Sequence, residues 1–289
     1  MDAYLDIVQK VLEEGIHKHN RTGTATYSIS GEMFEHDMSE GFPLLTTKRM
    51  PFSMISSELE FFIKGITDKA WLQERRNSIW NQWAWQNKVP YGHDEETQEK
   101  MFMERDLGPI YGFQWRHFDA EYVGFDKNYS GQGVDQLETL VDTLKTNPND
   151  RRMLVSAWNP NQLDEMALPP CHYGFQVTVL DNKLNLMWNQ RSVDVGLGLP
   201  FNISSYGLML HLLAEETGFE EGRLVGFLGD VHIYENQISG LEKQLTRNPH
   251  PLPSIETKKI KSIFEWEYSD SEIKDYVAHD KLDLGKPAI

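Results

Sequence analysis

A single cysteine in 289 residues excludes an intramolecular disulfide and any CxxC metal or redox pair. No apolar run approaches the roughly 18 residues that a membrane-spanning helix needs. Basic residues are outnumbered: 28 Lys and Arg stand against 44 Asp and Glu, a net charge of −16. That balance argues against a non-specific DNA or RNA binder, which needs a dominant basic face, and leaves local basic pockets open. Neither the GxGxxG nor the GxxxxGK phosphate loop occurs. The histidines show no HExxH or paired ligand spacing, so no metal is expected. Repeats, low-complexity tracts and Ser/Gly-rich linkers are also missing, and one domain over 1–289 is the simplest reading. The start, MDAYLDIVQKVLEEG, puts Tyr4, Ile7, Val8, Val11 and Leu12 at helical spacing with charges between, unlike a signal peptide or anchor. The chain reads as a soluble protein of a reducing compartment, the cytoplasm.

What is present suffices for a sizeable core: 39% apolar residues, with eight tryptophans and fourteen phenylalanines. Residues 53–64 read as a helix closed by Gly65, and 86–105 as a solvated excursion. Val134, Leu137, Leu140, Val141 and Leu144 form the stripe of a helix over about 134–145, ended by Asn147-Pro148; a strand follows at 153–158. Residues 172–180 and 183–192 alternate around Asp181-Asn182, a two-residue hairpin turn. A regular hairpin would set Cys171 opposite Ser192 and Tyr173 opposite Gln190. Phe175, Val177 and Val179 would share an apolar face with Leu184, Leu186 and Trp188. Strict alternation sends Arg191 to the other face, so a β-bulge is predicted where it joins Cys171. Beyond the hairpin, 196–202 reads as a loop. A helix at 206–217 follows, capped by Ser204 or Ser205 and stopped by Gly218. Helices and strands interleave without βαβ regularity, which points to α+β with a mixed sheet.

The cysteine lies in LPPCHYG, residues 168–174. A free cysteine is by type a small buried hydrophobe. Pro169 and Pro170 argue otherwise, because they fix the backbone just ahead of the thiol. A nucleophilic thiolate needs nearby positive charge, which Arg191 could supply across the hairpin. Arg21, Arg151, Arg152 and Arg191 all sit at element ends beside turn residues. Each alone reads as surface arginine, whereas four forks together suit phosphate. A third group comprises Gln190, Ser192, Asp194, Asn202, Asp230, His232 and Tyr234. The Asn202 amide presents a donor beside an acceptor, matching the N3–H and O4 edge of uracil, although a helix cap is the plain alternative. His232 and Tyr234 share a strand face where a sugar hydroxyl could bind, or form a structural pair. Trp80, Trp83 and Trp85 are either core or a flat wall for a ring system.

The segments RTGT at 21–24, DLGPIYGFQWR at 106–116, PPCH at 169–172, QRSVD at 190–194, LGLPFNI at 197–203 and GDVHIY at 229–234 closely resemble the thymidylate synthase family, in order and over nearly the whole chain. The resemblance implies reductive methylation of dUMP to dTMP, with 5,10-methylenetetrahydrofolate as co-substrate leaving as dihydrofolate. It implies an α+β fold with a bent mixed sheet flanked by helices, and sheets packed back to back in a homodimer. Carried over, Cys171 would attack uracil C6; Arg21, Arg191 and Ser192 would hold the phosphate; Arg151 and Arg152 would reach it from the partner subunit. Asn202, with Gln190 beside it, would read the uracil edge, and His232 and Tyr234 the deoxyribose. Glu58 would organise water and proton transfers, and Tyr111 would help remove the C5 proton. Asp194 would lie near the pterin, Lys48, Trp80 and Trp83 would line the folate site, and the terminal segment with Ala288 would close over it. His172 would support the site without acting as a general base. Four positions depart from the common pattern: Ala25 for glycine, Trp188-Asn189 for Leu-Tyr, and Gln237 for histidine. Residues 86–105 correspond to the family's variable insertion and receive no role.

Two rivals differ in chemistry. A hydroxymethylase of the same fold would add water in place of hydride; a cytosine-specific version would carry a carboxylate where Asn202 stands. A non-catalytic regulator binding nucleotide or RNA is disfavoured as a sole function by the acidic charge and the complete set of catalytic residues.

Overall fold

The structure, a computed structural model, describes residues 1–20 and 22–285; Arg21 and Ala288 lie outside the described residues. In chain order the elements are α1 (Asp2–Glu14), β1 (Ile16–Lys18), β2 (Thr26–Asp37), α2 (Phe52–Ile63), α3 (Lys69–Glu74), α4 (Glu95–Met103), α5 (Tyr111–His117), α6 (Gln136–Thr146), β3 (Leu154–Ser156), β4 (His172–Leu180), β5 (Lys183–Asp194), α7 (Gly198–Thr217), β6 (Glu220–Tyr234), α8 (Ile238–Leu245), β7 (Ser254–Thr257) and β8 (Ser271–Lys274). Six strands form one sheet in the order β1-β2-β6-β5-β4-β3, and β7 pairs with β8 apart from it. Only β5 and β6 are parallel within that sheet, and α7 is the crossover that parallel pairing requires. The fold is thus α+β in a single domain, with a mixed sheet flanked by helices.

The pleat sorts each strand into two faces. One row across the sheet runs Phe34, Gly226, Trp188, Phe175, Val155 and is buried against the helices. The adjacent row runs Met33, Phe227, Asn189, Gly174, Ser156 on the opposite face, where Met33 and Phe227 are exposed. Trp188 stacks on Tyr206 of α7 with centroids 5.3 Å apart and tilts against Phe34 at 5.8 Å. Gly226 makes this possible, since a Cβ there would fall inside the indole. Gly226→Ala is therefore expected to destabilise the fold by about 1–3 kcal/mol through overpacking. A lowered urea midpoint with unchanged slope would read it, and Trp188→Leu in the same chain should recover part of the loss.

The hairpin forms as read. Asp181 and Asn182 both have positive φ, 50° and 60°, as a type I′ turn needs. The bulge is present: Gly174 faces Asn189, but His172 faces Gln190, so Tyr173 is the extra residue. It brings Arg191 beside the cysteine, with the Arg191 amide donating to the Cys171 carbonyl at 2.8 Å.

Three local readings are corrected. Val134 is no part of a helical stripe: it pairs its backbone with Phe118 and is exposed, because the Asp135 side chain caps α6 by accepting from Glu138 N–H. The segment after the hairpin is not a loop to residue 202, because α7 already starts at Gly198. Pro200 fits its first turn, where the missing amide has no helical partner. Ser204 is consequently no cap but a buried residue donating to the Pro43 carbonyl. Residues 86–105 are solvated as read, Met101 alone being buried, but they also carry a helix, α4, capped by Asp94. The buried Lys69 ammonium ties α4 to the turn before this segment, donating to the carbonyls of Asn81, Trp83 and Met101 at 3.0, 2.8 and 2.6 Å. Among the described residues no helix is long and apolar enough to cross a membrane.

Candidate active site

The cysteine end of the hairpin opens into a cleft of about 290 Å³, lined by Lys18, Trp83, Cys171, Arg191, Ser192, Asp194, Asp230, His232 and Tyr234 among others. These residues come from β1, the loop after α3, the start of β4, the end of β5 and the end of β6. The parallel β5–β6 pairing sets Ser192 beside Asp230 and Asp194 beside His232. A polar end for an otherwise apolar sheet is therefore a property of register.

Cys171 precedes β4, partly exposed. Its amide donates to the Tyr111 hydroxyl at 2.8 Å, and its Sγ lies 3.9 Å from an Arg191 guanidinium nitrogen. The two prolines fix more than a dihedral. Their carbonyls accept from Arg191 Nε and Nη2, both at 2.9 Å, which turns the guanidinium toward the thiol. A cation here favours the thiolate.

Behind the cysteine, Tyr111 opens α5 and stacks between Phe62 (4.8 Å) and His172 (4.4 Å). Burial, with Cys171 alongside, holds the Tyr111 phenol far above its ordinary pKa. His172 is pushed down to about 3 by burial, and its Nδ1 is 2.9 Å from the Tyr206 hydroxyl. It is neutral at working pH, as a supporting residue should be. Glu58 on α2 is reached by the Trp80 indole N–H at 2.8 Å. Burial raises its carboxyl to about 7, against the lowering effect of that hydrogen bond.

Asn202 sits in the first turns of α7, not at its cap, and its Oδ1 accepts from Gln190 Nε2 at 3.0 Å. Gln190 is itself buried and takes the Trp188 indole N–H on its oxygen at 3.1 Å. Asp194 accepts from the Leu197 amide at 3.0 Å, and from the Gln237 amide at 3.1 and 2.9 Å on its two oxygens. Lys48 is buried, donates to the Gly196 carbonyl at 2.5 Å, and is lowered to about 8 by burial, with Asp194 opposing. His232 and Tyr234 stand edge to face, 5.2 Å apart. His232 Nδ1 lies 3.1 Å from Asp230, whose other oxygen accepts from Lys18 at 2.7 Å.

The structure therefore gathers Cys171, Arg191, Ser192, Asp194, His232 and Tyr234 around one cleft, with Tyr111 bonded to the cysteine backbone and Asn202 bonded to Gln190 of β5. Trp83 lines it and stacks on Tyr91, whereas Trp80 is buried against Glu58 and Trp85 belongs to a separate cluster with Tyr122. Arg151 and Arg152 are not brought in: both are exposed ahead of β3, Arg152 paired with Asp150. Lys18 and Gln237 carry no role in the sequence reading. Lys18 alternates with polar neighbours in a three-residue strand too short to read, and Gln237 shows only as a departure from a pattern. Among the described residues no group of three or more His, Cys, Asp or Glu could hold a metal ion.

The thymidylate synthase family model matches residues 2–286 of this chain. A bifunctional dihydrofolate reductase–thymidylate synthase of Paramecium tetraurelia is 43% identical over 283 residues, covering 98% of this chain and 60% of that protein. A thymidylate synthase of Mycoplasma pneumoniae is 42% identical over 294 residues, covering 98% of both. The bifunctional protein of Leishmania major is 43% identical over 285 residues, or 97% of this chain and 54% of that one. The chain thus spans little more than half of each bifunctional relative and nearly all of the single-function one.

Proposed function

The chain belongs to the thymidylate synthase family, and from that membership we propose that it is a methyltransferase converting dUMP to dTMP. 5,10-Methylenetetrahydrofolate is the co-substrate and dihydrofolate the second product. The observation that carries this reading is the meeting of the sole thiol with a guanidinium held by its own two prolines, at the mouth of a cleft. The Cys171 thiolate adds to C6 of the uracil ring, which makes C5 nucleophilic toward the folate methylene. Asn202, its carbonyl oriented by Gln190, reads the pyrimidine edge. Its neutral amide suits uracil, which offers a donor and an acceptor. His232, braced by Asp230 and Lys18, and Tyr234 take the deoxyribose. Arg191 and Ser192, with Arg21, take the phosphate. Glu58 holds a proton near neutrality beside the ring, and Tyr111 lies within reach to relay the proton leaving C5. Trp83, Trp80, Lys48, Asp194 and Ala288 serve the folate side, Trp80 and Lys48 by fixing Glu58 and the 194–197 loop.

Met33 and Phe227 lie side by side on one sheet face and are exposed, which supports back-to-back packing with a second copy. Exposed Arg151 and Arg152 on β3's edge would then reach the partner's phosphate site. We read 1–289 as one catalytic domain with 86–105 as a variable insertion, in a cytoplasmic enzyme of deoxynucleotide synthesis. Mixing the protein with dUMP and methylenetetrahydrofolate should yield equal amounts of dihydrofolate, read by absorbance, and dTMP, identified by mass. Hydroxymethyl-dUMP, with folate left at the tetrahydro level, would move the assignment to the hydroxymethylase.

A further inference from the structure

Gln237 is fully buried at the end of a 3-10 turn, Glu235–Gln237, that follows β6 directly. Its side chain bridges two parts of the cleft. The Nε2 donates to both oxygens of Asp194 at 3.1 and 2.9 Å, while Oε1 accepts the backbone N–H of Tyr234 at 3.2 Å. Gly196 leaves it room, since a Cβ at that position would press to 2.7 Å from Oε1. Asp194 thus has two anchors of different origin. The Leu197 amide belongs to its own loop, whereas Gln237 belongs to the strand end that carries His232 and Tyr234.

We propose that Gln237 is a positioning residue that ties the sugar-binding end of β6 to the Asp194 carboxylate, and so sets how the pterin ring of the folate is received. The inference rests on the assignments of Tyr234 to the deoxyribose and Asp194 to the pterin. A planar amide locked at both ends passes a small displacement of Tyr234 directly to Asp194, with no rotatable slack between them. It also supplies donor and acceptor without titrating. A histidine, which the resemblance leads one to expect here, can do both jobs only as neutral imidazole, with one N–H and one lone pair.

The test is steady-state kinetics of Gln237→Leu, which keeps the bulk and removes both functions. The KM for methylenetetrahydrofolate is expected to rise about tenfold, as for loss of a hydrogen bond to a charged group. Binding of dUMP, followed by tryptophan fluorescence, should stay within about twofold. In an Asp194→Asn background the same change should add almost nothing, because the two groups act as one unit. Gln237→His assayed at pH 8 should recover most of the loss. An unchanged folate KM in Gln237→Leu overturns the proposal, as does full additivity with Asp194→Asn. Should the leucine variant lose dUMP binding too, Gln237→Asn carries the same folate-selective expectation, and equal losses for both substrates overturn the proposal. If the unsubstituted protein forms no dihydrofolate, the proposed function itself falls, and this inference with it.

Discussion

Cys171→Ser is expected to lower kcat by about 10⁴-fold while leaving dUMP affinity within a few-fold. The substitution exchanges one atom and disturbs little around it. Its backbone makes two of the contacts that hold this residue: the amide to Tyr111, and the carbonyl to the Arg191 amide. Both persist in serine. What disappears is a nucleophile whose ionised form is accessible near neutrality. A thiol ionises near pH 8.5 unperturbed, and a guanidinium 3.9 Å away favours the thiolate. A serine hydroxyl is ionised to a far smaller extent, and the two nearby groups that could act as bases are engaged elsewhere: His172 turns its Nδ1 to Tyr206, and Glu58 is held by Trp80. Rapid-quench turnover and calorimetric titration with dUMP check the two halves separately. Loss of both together would mean a folding defect, and retention of turnover would remove Cys171 from the chemistry.

This expectation also separates the enzyme from a nucleotide-binding regulator, whose cellular effect would survive the change. The arginine tells the same story from the other side. Its place beside the thiol depends on a bulge of one residue at Tyr173 in β4, without which Cys171 and Arg191 would project from opposite faces of the hairpin.

That bulge shows how far local pattern carries. Alternation with period two fixed both strands of the hairpin, and Asp181-Asn182 fixed its turn, because these signals lie within a few residues of one another. The break in register was legible for a chemical reason: a thiol at a proline-fixed turn calls for a cation, and the nearest arginine lay one residue out of phase. The start of α7 is hidden in the sequence because Gly196, Gly198 and Pro200 look like breakers. Asp194 overrides them by accepting the Leu197 amide and so beginning the helix early. Contacts between distant segments left no local trace. Trp80 with Glu58, Lys48 with Gly196, Lys18 with Asp230 and Gln237 with Asp194 each join parts of the chain that no spacing rule connects. Glu58 and Lys48 were named only through resemblance; the β7–β8 hairpin and α8 were not read at all.

Glu58→Gln carries the other large effect, and it acts on stability and activity in opposite directions. Burial holds the Glu58 carboxyl at about 7 in the folded protein, against 4.5 for the ordinary group. The folded state therefore binds the proton more tightly than the unfolded chain does. Protonated Glu58 favours folding fully below about pH 4.5, and that contribution is lost as pH rises through 7. At pH 8 the wild-type chain holds an ionised carboxylate in a site that disfavours it. The cost is about 2 kcal/mol once partial exposure is allowed for. Glutamine is neutral at every pH and keeps an acceptor for the Trp80 indole.

Glu58→Gln should then raise the thermal midpoint by a few degrees at pH 8, at fixed protein concentration, and by nearly nothing at pH 5. Taking the difference between variant and wild type matters, because buried neutral His172 and several paired carboxylates also titrate at acid pH. Meanwhile kcat should fall by about 10²–10³-fold, the usual worth of a positioned acid or base, and the inflection near pH 7 in the rate profile should vanish. A group tuned to hold and release a proton at working pH is one the fold would be more stable without. Equal midpoints at pH 8, with the inflection retained, would show that the proton near neutrality belongs to another residue.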